Sequence, residues 1–411
     1  MGRPAKRLAL ILLAVIAAAV SATWLWVGAV ERRLRARADD RVRELEAELL
    51  KRDPRRPALR GDALPGDAWE DYAPALSAVH ALPHDLQRTL ADRSYSRDGS
   101  PEQVAALGAI LKGLRQGSRR AEARIFLEHH STIDNSVPMG TLYSTANYLG
   151  NAAAMAGARL LDDGLAEEGV DLLLSAAQFG RDVAAHPDFM GWRHGIAVVH
   201  LVLEQVDARL QVGRVPERQA RAIGAALAIL DDTANSYSDD VSRDLLHWGR
   251  RALSGLPGEE RTRGGPSPTW RQAYSRSIME LTAFLDFDQA AKSRAAHLAL
   301  PHLQANEAWK DLLEEVASRR NPAATFMNSG VCSHRVIRES LVRLRLLRVA
   351  LHYAATGEIL DLADPMGERL RTSLRKEELL IWSAWRDGED DGGAERGDKD
   401  RVLRVPRFGK R

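Results

Sequence analysis

From Leu8 to Val30 the chain reads LALILLAVIAAAVSATWLWVGAV, a run without one charged side chain. No other feature narrows the fold as far. As a helix the run spans about 35 Å against a hydrocarbon core of about 30 Å, so it is expected to be a transmembrane helix. Trp24 and Trp26 stand near its C-terminal end, where indole rings favour the membrane interface, and Arg3, Lys6 and Arg7 flank its start within a basic tail, residues 1–7. The rival reading is a cleaved signal peptide, with Val20-Ser21-Ala22 as a small-residue cleavage site. The apolar stretch continues past that site through Val27, which favours a retained anchor. No lipidation-type cysteine follows, which removes a lipoprotein. For orientation two rules conflict. Arg32, Arg33, Arg35, Arg37, Arg41 and Arg43 outnumber the cations before the segment, which taken literally puts the body in the cytoplasm. Long domains translocate largely regardless of charge, however, and a short basic tail before an apolar run is how secretory signals and anchors begin. The expectation is N-terminus inside and body outside.

Behind the anchor lies a chain long enough for one large helical domain or two smaller ones. Ala, Leu, Arg and Glu dominate, aromatics are 6% and β-branched runs are scarce, so the fold class expected is mainly α. The 58 Lys and Arg nearly balance 56 Asp and Glu, which gives no electrostatic case for nucleic acid as partner. Cys332 stands alone and supports no disulfide framework.

Residues 31–52 contain no Gly or Pro and extend the anchor helix into water as a stalk. Leu34, Ala38, Val42, Leu45 and Leu49 line one face of it, the seam either of a homodimeric coiled coil or of packing on the chain's own body. Pro54, Pro57, Gly61, Pro65 and Gly66 make residues 53–67 a linker. A multi-helix body follows, in a first part at 68–254 and a second at 269–357, separated by the Gly- and Pro-rich loop 255–268. Ser100-Pro101-Glu102-Gln103 offers an N-cap, a proline at the first helical position and a glutamine three residues after the cap, predicting a helix over 101–116. Further helices are predicted at 118–130, 139–161, 165–185, 191–212, 216–232, 239–254, 268–285, 303–319 and 334–356. Gly157, Gly164, Gly169 and Ala176 have spacings like the small positions of a tetratricopeptide repeat. With no second copy in phase, they predict one close-packed helical hairpin.

The motif-defined routes to hydrolase, nucleotide or nicotinamide chemistry are missing: there is no H-E-x-x-H, G-x-S-x-G, Walker A loop or dinucleotide fingerprint. His129-His130, His186, His194, His200, His297 and His302 do not fall at the i, i+4 spacing of a helical zinc site. Cys332 and His334 would form a nucleophilic pair if they met in space; the alternative is a turn in which Ser333 caps the next helix.

At 358–411 the pattern changes. Leu379 to Trp385 and Val402 to Val405 are too short for core helices and enclose an acidic, glycine-rich loop, so a small β-hairpin or meander is predicted. Asp387, Glu389 and Asp391 stand at positions 1, 3 and 5 with Gly392 at 6, the opening order of an oxygen-ligand calcium loop, although position 12 is Asp398. Crowded carboxylates repel unless neutralised. The expectation is a calcium ion on Asp387, Glu389, Asp390 and Asp391, set against a solvated acidic turn.

Asp364-Pro365, Trp382-Ser383 and the run Asp387 to Gly393 resemble the C-terminal end of type II secretion major pseudopilins. Over a longer stretch the chain resembles uncharacterised bacterial single-pass envelope proteins that join an anchor and a helical body to such an end. Where pseudopilins usually have a glycine two residues before the DG pair, this chain has Trp385, and its N-terminus lacks their leader-peptidase site and assembly acid. The resemblance therefore implies no polymerisation. It implies the bacterial inner membrane with a periplasmic body, calcium at Asp387, Asp390 and Asp391, and no attached reaction. The leading expectation is a non-enzymatic component that binds another protein or assembles in the envelope; the alternative is a membrane-anchored enzyme of unknown class.

Overall fold

The computed structural model describes residues 3–51, 63–91, 107–123, 139–185, 189–232, 324–375, 378–385 and 400–406, with shorter stretches and single positions between them. Helix α1, Arg3–Leu50, is continuous through 48 residues. Its N-terminal part is long and apolar enough to cross a membrane, and Leu13, Val15, Ile16, Val20, Leu25 and Trp26 project from the protein unpacked. The stalk is different. Ala38, Val42 and Leu45 are buried and Leu34 half-buried, against helical residues between 245 and 253 and between 278 and 288. A Cβ added at Gly249 would strike Val42 and the Phe284 ring. Arg41 Nε pairs with Asp288 Oδ1 at 2.8 Å, Arg250 Nε with Glu46 Oε1 at 2.9 Å, and Arg35 Nη1 donates to the Leu253 carbonyl at 2.6 Å. From Ala38 to Leu45 the stripe that the heptad spacing marks is thus packed on the chain's own body.

Beyond α1 the order of the fully described elements is β1 (Leu64–Asp67), α2 (Trp69–His80), α3 (His84–Ala91), α4 (Gly108–Gly117), β2 (Arg120–Glu122), α5 (Met139–Asp162), α6 (Ala166–Ala184), α7 (Phe189–Gln211), α8 (Glu217–Asp232), α9 (Ala324–Thr356), then β3 (Arg371–Leu374), β4 (Glu378–Ser383) and β5 (Arg401–Pro406). The protein is mainly helical, as its composition predicts, and the C-terminal strands form an antiparallel meander in the order β3-β4-β5. Leu379 opposes Val405 and Ile381 opposes Leu403, which sets these four on one face, packed on the helical core. One cluster of buried residues runs from Leu59 to Val405.

The centre of the body is α5, α6 and α7. Gly164, at φ +83°, turns α5 into α6, and the two helices meet at glycine. A Cβ on Gly157 would lie 2.9 Å from the Gly169 carbonyl, and one on Gly169 2.8 Å from that of Gly157. The same device joins α6 to α7, where a Cβ on Gly180 would lie 2.8 Å from the Gly195 carbonyl. Gly195→Ala is therefore expected to cost about 1–3 kcal/mol by forcing backbones apart. Gly224→Ala, whose Cβ would meet only Leu351 at 3.8 Å, should be neutral or stabilising through helix propensity. Thermal unfolding of the full chain in detergent distinguishes the two.

Several elements depart from the sequence reading: β1 lies within the expected linker 53–67, α2 and α3 are helices that no predicted segment covers, and two further departures have clear physical causes. Residues 118–130 are predicted helical, but 120–122 form strand β2, parallel to β1. Leu64 N donates to Arg119 O at 2.7 Å and Ala68 N to Glu122 O at 2.9 Å, while the Arg120 side chain bonds Asp71 Oδ2 and Pro65 O. This long-range pairing outweighs local helix propensity. At the other departure, α9 starts at Ala324 and runs through Cys332, Ser333 and His334, so no turn or Ser333 cap interrupts it.

Candidate functional site

Of the four residues expected to hold calcium, Asp387, Glu389 and Asp391 lie outside the described residues. Asp390 is described, and its carboxylate is occupied by protein donors. Trp382 Nε1 donates to Oδ1 at 2.9 Å, Gly392 N to the same oxygen at 3.0 Å, and Arg371 Nε to Oδ2 at 2.8 Å. These bonds tie Asp390 back to β3 and β4, with the Arg371 guanidinium as its ion-pair partner. The Trp382 and Arg371 hydrogen bonds hold the Asp390 carboxyl below the ordinary range. Nearby, Asp364 closes the turn before β3. It accepts from Ser383 Oγ at 2.8 Å, Ala384 N at 3.1 Å and Met366 N at 2.9 Å, yet burial outweighs these bonds and raises its proton affinity. The Asp-Pro turn and the Trp-Ser pair named in the resemblance are therefore joined, through Asp364 and Ser383. Trp385, two residues before the Asp387-Gly388 pair, is a non-glycine residue with positive φ, +46°.

The pH dependence follows in sign. Asp390, depressed in the folded protein, contributes stability that is full above the ordinary carboxyl pKa near 4 and is lost as pH falls through its lower folded value. Asp364, raised, works oppositely: between the ordinary and the folded value the folded state holds more protons, so its contribution declines as pH rises. Asp390→Asn should therefore lose less melting temperature than the unsubstituted protein on acidification below pH ~4. Melting curves across that range check it.

A second polar constellation lies where α7, α9 and β5 meet, in a cleft lined by Leu203, Glu204, Asp207, Arg343, Arg401 and Val402 among others. Glu204 and Asp207 are three apart on α7, which puts both carboxylates on one face. Arg343 Nη1 reaches Glu204 Oε1 at 2.7 Å from α9, and Gln211 Nε2 donates to Asp207 Oδ1 at 2.7 Å. Burial raises the proton affinity of Asp207, assisted by Glu204 and opposed by the Gln211 hydrogen bond, Arg401 and Arg343. The cleft has about 20 Å³ of room, enough for about one water. Such a site can hold a proton or a bridging water at the joint between helical body and C-terminal sheet. Sequence reading missed it because its members come from three distant segments; only the acid pair on the helix predicted at 191–212 was a local signal.

A third polar group is structural. Arg56 Nε and Nη2 reach Asp182 Oδ1 and Oδ2 at 2.5 and 2.8 Å, Tyr72 Oη donates to Oδ2 at 3.0 Å, and Gln178 Nε2 to Oδ1 at 2.9 Å. Arg56 also donates to the Arg120 and Gly117 carbonyls, and Leu59 N donates to Gln178 Oε1 at 3.2 Å. Burial lowers the Arg56 pKa, but the attraction and hydrogen bonds of Asp182 more than offset this and leave it raised.

On α7, His194 pairs with the Asn147 amide and stacks on Tyr143 at 5.8 Å, and His200 bonds Ser340. Burial, then Arg193, lowers the His194 pKa. His129, His130, His186, His297 and His302 lie outside the described residues. Cys332 and His334 are two positions apart on α9, a spacing that does not share a helix face. Among the described residues no group of three or more His, Cys, Asp or Glu is placed to hold a metal ion.

Fold and sites together define a mainly helical protein with a membrane-length N-terminal helix and a small C-terminal sheet. No protein-family model, curated protein sequence or solved structure matches it.

Proposed function

We propose that this chain is a single-pass protein of the bacterial inner membrane with a periplasmic, non-enzymatic body that binds another protein or organises an envelope assembly. The observation that carries the reading is the continuity of α1 with a stalk locked to the body through Val42, Arg41–Asp288 and Arg250–Glu46. A body tied to its anchor in this way presents its surface at a fixed height and orientation, which suits an assembly component. Pull-down of the full chain from native membranes with mass spectrometry tests it. A partner recovered with the anchored chain, and lost when the stalk clamp is broken by Arg41→Ala with Arg250→Ala, supports the reading; no protein above background contradicts it.

A second reading, a membrane-anchored enzyme of unknown class, is favoured by one observation: the raised carboxyl of Asp207 beside Glu204, Arg343 and Arg401. Calcium at the acidic loop is carried forward as a proposal on Asp387, Glu389 and Asp391, with Asp390 contributing only if the ion displaces Arg371. Calorimetry with calcium on the full chain, and its loss in Asp387→Ala, is the test.

A further inference from the structure

We infer that Arg32, Arg33 and Arg37 form a docking surface for the headgroups of anionic phospholipids in the leaflet on the body's side. The inference rests on the reading that Leu8 to Val30 spans a membrane. All three arginines are exposed, and among the described residues none makes a hydrogen bond or ion pair. Around the axis of α1 they fall at roughly 0°, 100° and 140°, opposite Ala38, Val42 and Leu45 at roughly 240°, 280° and 220°. The face they occupy is thus the one turned away from the body. Counted from Val30 they stand about 3, 5 and 10 Å past the apolar run, within reach of the phosphate layer for a side chain that can bend back toward it.

The neighbouring charges support the same assignment. Glu31, the acid nearest the membrane edge, is paired with Arg35, whose Nη1 also donates to the Leu253 carbonyl. The next acids on the outward side, Asp39 and Asp40, lie about 14 and 15 Å past Val30, beyond the headgroup zone, and Asp39 is paired with Arg43. The order along the exposed face is therefore apolar span, free cations, then acids, and that order is complementary to a surface that carries phosphate above hydrocarbon. Trp24 and Trp26, both exposed at the end of the span, fix the same level. An arginine near an anionic surface contributes a factor of about five in attraction, screened by salt.

The test uses the full chain inserted in phosphatidylcholine vesicles that contain phosphatidylglycerol as the minor lipid. Spin-labelled phosphatidylglycerol and phosphatidylcholine report which lipid the protein holds. The expected result is a several-fold preference for phosphatidylglycerol that weakens in high salt, collapses in R32Q/R33Q/R37Q and survives in R32K/R33K/R37K. Equal association of the two lipids overturns the inference, as does a preference unchanged in the glutamine variant, which would place it at the Arg3, Lys6 and Arg7 flank. Resistance to alkaline carbonate extraction is measured on the same vesicles. Protein that inserts without lipid preference sinks this inference alone, whereas protein released by carbonate contradicts the spanning segment itself.

Discussion

Asp182→Ala is expected to destabilise the folded protein by about 3–5 kcal/mol, because it leaves the Arg56 guanidinium buried without its counter-ion. The side chains of Arg56 and Asp182 are 5% and 1% exposed, so water cannot replace the lost carboxylate. The Arg120 and Gly117 carbonyls would still accept from Arg56, but they carry no compensating charge. Tyr72 and Gln178 would also lose an acceptor. Two companions locate the cause. Tyr72→Phe removes one hydrogen bond and keeps the ring on Phe179, at a cost of about 1 kcal/mol. Arg56→Met with Asp182→Leu removes both charges and should recover most of the loss. Chemical unfolding of the full chain in detergent gives all three values, and a loss below about 1 kcal/mol for Asp182→Ala would contradict the clasp. Since Arg56 follows closely on α1, this clasp is a further tie between anchor and body, beside Arg41–Asp288 and Arg250–Glu46.

Trp385→Ala should cost about 3–5 kcal/mol, the usual loss for a buried tryptophan. The residue is 7% exposed and belongs to the main core. Its backbone adds a feature that reverses an ordinary ranking. At φ +46° a side chain is strained, so Trp385→Gly should be more stable than Trp385→Ala by about 1 kcal/mol, whereas glycine is normally the worse of the two. Melting temperatures of the two variants decide the sign.

The long helices were legible because their signals are local. The predicted segments at 139–161, 165–185, 191–212 and 216–232 differ by at most two residues at either end from Met139–Asp162, Ala166–Ala184, Phe189–Gln211 and Glu217–Asp232. The glycines at 157, 164 and 169 announced a tight hairpin, and the structure brings Gly157 and Gly169 backbone to backbone. The apolar pieces Leu379 to Trp385 and Val402 to Val405 read as strands because they are too short for core helices. What the sequence hid depends on distant partners. Arg120–Glu122 becomes a strand only because Leu64–Asp67 lies beside it, and Arg56 reads as a linker residue until Asp182 is in place. The stalk seam was visible as a stripe, but its occupant was not, since the covering residues near 249 and 284 carry no mark of that pairing. The acid pair Glu204 and Asp207 gained its setting only from Arg343 and Arg401.

The central claim is that α1 crosses a membrane once and carries the body on the far side. Alkaline phosphatase fused after Lys51, at the end of α1, in a Gram-negative host tests it most directly, with a fluorescent cytoplasmic reporter at the same position as its counterpart. The account predicts an active phosphatase, a dark reporter and a fusion that stays membrane-bound with its N-terminus uncleaved; an inactive phosphatase with a bright reporter, or a mature chain beginning at Thr23, would contradict it.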